Sequence, residues 1–146
     1  MNILKERVKA FFVEYQRRFT EGLAGKPDVE GTVAAFAGYF VEASPVGFSG
    51  GKNDDQFKKA IPKGYEFYRK VGTKKMIVED VSINPLNENH YAVTVHWKSD
   101  NVKKDGTPVT IKFDVIYLLR DFNDTFKIFA YITGDEQGEL QKHGLV

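Results

Sequence analysis

The spacing of apolar residues in this chain changes near Lys74. Before that point they recur at intervals of three and four; beyond it they alternate with polar residues. Helical side chains return to one face every 3.6 residues and strand side chains every two, so the chain reads as helices first and strands afterwards. That order predicts an α+β fold, with three N-terminal helices packed in a curved antiparallel sheet. The 146 residues contain no internal repeat, low-complexity tract or linker, which predicts one domain over 1–146.

Leu4, Val8, Phe11, Phe12, Tyr15 and Phe19 form the stripe of a long first helix ending near Gly22 or Gly25, and Glu14 and Arg18 are spaced to pair on it. A second helix is expected after Pro27, capped by Asp28 and carrying Val33, Phe36, Ala37 and Phe40. The stretch "VEASPVGFSGG" (41–51) reads as a short irregular edge strand. Asn53 and Gln56 resemble a capping box opening a third helix with Phe57, Ile61, Tyr65 and Tyr68 on one face, kinked or restarted at Pro62.

The segments 74–84, 90–100, 107–120 and 125–133 read as strands. Asn84-Pro85, Asp105-Gly106 and Asn123-Asp124 supply turn chemistry between them. The apolar parity shifts inside the first of these strands, which predicts a bulge near Glu79-Asp80.

Composition narrows the function classes. The formal net charge is +1 and the basic pairs are dispersed, so no concentrated face for nucleic acid is expected. Without cysteine there is no disulfide or thiolate chemistry. His90, His96 and His143 are too scattered for a metal site, and no cofactor motif is present: "SGGK" (49–52) lacks the spacing of a phosphate-binding loop. No run is long enough to span a membrane and the N-terminus lacks a signal-peptide core, which leads us to expect a soluble cytoplasmic protein.

Parity decides the fate of "HYAVTVHWKSD" (90–100). Tyr91, Val93, Val95 and Trp97 share one face, and Val109, Ile111, Phe113, Val115, Tyr117 and Leu119 make a wholly apolar face in the next strand. Those faces are expected to point toward the helices. His96 and Asp114 then point outward. Ile116 and Leu118, joined by Phe129 or Tyr131, add an apolar patch suited to a homodimer interface. If the parity is inverted, His96 and Asp114 become an acid–base pair inside the fold.

The order of elements, with "YFVEASPVGF" (39–48), "GYEFYRKVGT" (64–73), "AVTVHW" (92–97) and "FKIFAY" (126–131), resembles the nuclear-transport-factor-2-like superfamily, which includes ketosteroid isomerases and SnoaL-like cyclases. The resemblance implies a cone-shaped, cystatin-like α+β barrel around an apolar pocket, and homodimers through the outer sheet face. Tyr15, Tyr39, Phe48 and Tyr65 would line that pocket, together with Tyr68, Trp97, Phe113 and Tyr117. Ketosteroid isomerases carry their catalytic aspartate just before a Pro-Val-Gly; here Ser44 holds that place, and a hydroxyl cannot take a carbon-bound proton near neutral pH. Glu42, two residues earlier, shares its parity.

Three readings follow. The first is a small hydrophobic ligand bound in an aromatic pocket without a cofactor. The second is an isomerase, cyclase or dehydratase using general acid–base chemistry through Glu42, His96 or Asp114. The third is a protein–protein interaction module. Which ionisable group lies in the pocket separates them.

Overall fold

The computed structural model describes residues 3–146. Helix α1 (Ile3–Leu23) is followed by a short α2 (Val29–Ala35), the hairpin β1 (Phe36–Ser44) and β2 (Gly47–Lys52), and helix α3 (Asp55–Val71). Four long strands then run in sequence: β3 (Thr73–Pro85), β4 (His90–Val102), β5 (Pro108–Asp121) and β6 (Phe126–Ile132). A final helix, α4 (Glu136–Lys142), closes the order.

The sheet order is β2-β1-β6-β5-β4-β3. Every pair is antiparallel except β1 and β6, which run parallel, so the sheet is mixed rather than wholly antiparallel. The register of β3 against β4 shifts between Val78 and Asp80, where the parity of the sequence predicts a bulge. This extra residue bends the sheet around α1.

Helix α2 is shorter than its sequence spacing predicts. Phe36 and Phe40 are buried, but from a strand, and Ala37 lies between them on β1. A four-residue interval fits both helix and strand, since it is close to one helical turn and also two strand periods. What ends α2 is the pairing of Phe36 with Ile128 and a cap from a distant residue. Asn53 donates its Nδ2 to the carbonyls of Val33, Phe36 and Ala37 at 2.9, 3.2 and 3.3 Å. Asn53 is therefore not the cap of α3; Asp54 is, accepting from the Gln56 and Phe57 amides. Pro62 sits within α3 on an exposed face without ending it.

The core lies between α1 and the concave face of β4–β6. Val8 and Phe12 of α1 meet Val93, Val95 and Trp97 of β4, Leu119 of β5 and Ile128 of β6, all nearly inaccessible. Burial in β4 alternates without a break from Tyr91 to Asn101, as its period-two pattern requires. Gly22 lets α3 approach α1, because a Cβ there would lie 2.5 Å from the Tyr65 ring. At the far end Arg7 of α1 grips Asp121 of β5 through two bonds of 2.9 and 2.8 Å. The same guanidinium covers the Phe126 ring at 4.4 Å.

Candidate functional site: an aromatic cavity in the cone

Between α1, α3 and the sheet lies a cavity of about 940 Å³ that opens to solvent. Its wall includes Tyr15 and Phe19 of α1, Tyr65 and Tyr68 of α3, Trp97, Phe113 and Tyr117 of the sheet, and Tyr131 of β6. Several of these rings touch: Phe19 meets Tyr65 edge-on at 5.2 Å, and Tyr15 lies 6.0 Å from Trp97 and 5.7 Å from Tyr117.

The polar tips are organised. Trp97 Nε1 donates to the Tyr117 hydroxyl at 3.2 Å, and Tyr117 in turn donates to Tyr15. Burial pushes the Tyr15 phenol up to about 12, with the Tyr65 phenol adding to the rise and the bond from Tyr117 opposing it. Tyr117 is raised well above the ordinary range, again chiefly by burial. Tyr68 is raised by burial and by its bond to the Glu136 carboxylate, which ties α3 to α4. Tyr131 is raised by burial, by the Tyr15 phenol, and by Glu42, whose carboxylate accepts its hydrogen bond. A buried network of Thr73, Ser99 and Asn101 completes the floor, with Thr73 donating to Asn101 at 2.7 Å and Asn101 to Ser99 at 3.0 Å.

Six of the eight aromatic residues expected in the pocket meet there. Tyr39 and Phe48 do not: they are 69% and 85% exposed, on the two strands of the edge hairpin, and neither touches the cavity. Tyr39 has the parity of Val41, away from the helices, while Phe40 turns inward. Tyr131, expected on the outer face, lines the cavity instead, because the register of β5 against β6 shifts between Leu118 and Leu119. Ile116, Leu118 and Phe129 lie half-buried on the outer face.

Of the ionisable candidates, Glu42 and Asp114 border the cavity and His96 does not. Glu42 is half-buried on the cavity wall, paired in register with Tyr131. Ser44, at the isomerase position, accepts from the Val46 amide at 3.3 Å and so caps its own turn. His96 and Asp114 sit opposite each other across β4 and β5, with their side chains on the outer face. There Nδ1 of His96 meets Asp114 Oδ1 at 2.8 Å and Nε2 meets Ser82 Oγ at 3.0 Å. The connectivity is that of a Ser-His-Asp triad, supplied by the edge strand β3 and its neighbours β4 and β5 on the outer face of the sheet. Among the described residues no group of three acidic or histidine side chains is placed to hold a metal ion.

Among the cavity residues that a sequence reading does not point to are Arg18, Glu136 and the buried Thr73, Ser99 and Asn101. Arg18 is 8% exposed and lines the wall from α1. Its expected partner Glu14 binds Arg17 instead, at 2.8 Å. The available signal was a charged residue three positions after Tyr15 and four before Gly22, on the buried stripe.

A helix-filled, curved sheet with an open apolar interior defines the NTF2-like class of α+β cones. The chain belongs to the family described as NTF2-like protein (DUF6841), whose model matches residues 5–136. Solved structures share this fold at low identity. Aln2 from a Streptomyces species is 12% identical with a TM-score of 0.68, covering 97% of each chain. A ketosteroid isomerase-like protein from Erwinia carotovora atroseptica is 15% identical with a TM-score of 0.59, over 92% of this chain and 97% of its own. A protein of unknown function with a cystatin-like fold from Nostoc punctiforme is 18% identical with a TM-score of 0.58, over 88% and 91%. No curated protein matches the sequence. No helix among the described residues is long and apolar enough to cross a membrane.

Proposed function

We propose that this protein binds a small, largely apolar molecule inside the cone. The observation that carries this reading is the cavity itself: about 940 Å³ of open space, walled by aromatic rings with hydroxyls at fixed places. That volume suits a ligand of two to four fused or linked rings. An interaction module needs no such space, and a filled core would serve it better. Thermal denaturation against a panel of steroid-like, polyketide-like and aromatic compounds tests the reading. A ligand that binds only the folded state raises the midpoint with its concentration. A panel-wide absence of concentration-dependent shifts counts against it.

Glu42 favours a second reading, general acid–base catalysis. Its carboxylate stands on the cavity wall with Tyr131 bonded to it, so a base and an orienting phenol meet the same space. Exchange of a ligand proton next to a carbonyl for solvent deuterium, lost in Glu42→Gln with binding retained, would establish it. Exchange unaffected by the substitution would remove Glu42 as the base.

The outer sheet face supports association of two copies, through Ile116, Leu118 and Phe129 with His96 and Asp114 beside them.

A further inference from the structure

A guanidinium buried to the extent of Arg18, which is 8% exposed, ordinarily has a carboxylate partner, because removing the charge from water is costly unless a counter-ion offsets it. The nearby acids are taken. Glu14, Glu21 and Asp28 all bind Arg17, at 2.8, 2.6 and 3.5 Å. Among the described residues Arg18 forms no ion pair, and its Nη2 is buried with no hydrogen-bond partner. It faces the Tyr15 ring, 5.6 Å from Cζ to the ring centre.

Two hydroxyls stand near this cation. Burial raises the pKa of Tyr15 and of Tyr65, and in each the charge of Arg18 opposes the rise. The Tyr15 oxygen also accepts a bond from behind, from Tyr117, whereas Thr32 beside Tyr65 donates its own proton to the Asp28 carbonyl at 2.8 Å. A phenol that accepts keeps its own proton to donate. The wall thus carries the unpartnered Nη2 of Arg18 and the Tyr15 O–H, and no protein acceptor answers either among the described residues. Glu42 also acts on Tyr15, but more weakly than Arg18.

We propose that Arg18 and Tyr15 form an anion subsite, and that the ligand is an aromatic or alicyclic carboxylate whose charged group completes Arg18 while its rings lie against the aromatic wall. This rests on the cavity being a ligand site. A single negative charge fits better than a phosphate dianion, because among the described residues no second buried cation stands free beside Arg18: Arg69 is committed to the Gly22 carbonyl at 2.7 Å, and Lys52 and Lys112 are exposed.

Calorimetric titration with 2-naphthoate and with neutral, near-isosteric 2-naphthamide tests the proposal. The native protein should bind the carboxylate about 10- to 100-fold more tightly, the preference expected of charge-assisted hydrogen bonds. Arg18→Met keeps the stem and should abolish the preference while leaving amide binding in place. Tyr15→Phe retains the charge and should reduce the preference several-fold, which decides the matter even if Arg18→Met fails to fold. Equal binding of the two compounds to the native protein would overturn the anion subsite and leave the cavity reading standing. Binding of neither would also overturn the anion subsite, while the cavity reading is decided by the wider panel.

Discussion

Trp97 Nε1 and the Tyr117 hydroxyl are hydrogen-bonded at 3.2 Å between neighbouring strands, at the back of the cavity. Both residues are almost wholly buried, so the indole N–H has no water to turn to. Tyr117→Phe keeps the ring and leaves that donor unsatisfied, at a cost of about 1–3 kcal/mol. Urea denaturation should register the loss with an unchanged slope. A variant as stable as the native protein would show that this bond adds nothing.

The Arg7–Asp121 pair should govern stability in acid. Bonds from the Arg7 guanidinium hold the Asp121 carboxyl below the usual carboxylate range, against the burial that would raise it. A carboxyl lowered in the folded state contributes stability above its unfolded pKa and loses it as pH falls through the folded one. Denaturation midpoints of the native protein should therefore drop on acidification more steeply than those of Asp121→Asn, which should be less stable at neutral pH. Parallel pH profiles would contradict this.

The cavity phenols should govern stability in base. Tyr15 is pushed up to about 12, and Tyr65, Tyr68, Tyr117 and Tyr131 are also raised, each with burial as the leading cause. An acid whose pKa is raised on folding supplies stability that is whole below its unfolded value near 10 and lost as pH rises through the folded value. Stability should decline across that alkaline window, and the phenolate absorbance of these tyrosines should appear together with unfolding. Their complete ionisation in a still-folded protein would refute the account of the wall.

Association through the outer face predicts that Leu118→Glu shifts the protein toward a smaller species at micromolar concentration. Light scattering coupled to size exclusion reads this directly. A native protein that is already monomeric at high concentration would rule the interface out.

The strands were legible in the sequence because burial there follows a strict alternation. Trp97 inward and His96 outward follow from that parity alone. The helix-to-strand change at Phe36 was not legible, since a four-residue interval between Phe36 and Phe40 satisfies either period and a distant cap from Asn53 decides between them. The choice between Phe129 and Tyr131 for the outer face is not legible, because a register shift between Leu118 and Leu119 breaks the parity that would carry both the same way. Arg18 was hidden by its neighbour: two adjacent arginines followed the same acid, and only the three-dimensional arrangement gives all nearby carboxylates to Arg17.

The most direct test of the central claim uses the single tryptophan, which lies on the cavity wall at 2% exposure. Its emission should be blue-shifted in the free protein. It should change saturably as a cavity ligand is added, and the same compound should raise the thermal midpoint. Water-like emission that no compound alters would mean that Trp97 does not face a ligand-accessible interior, and would contradict the account.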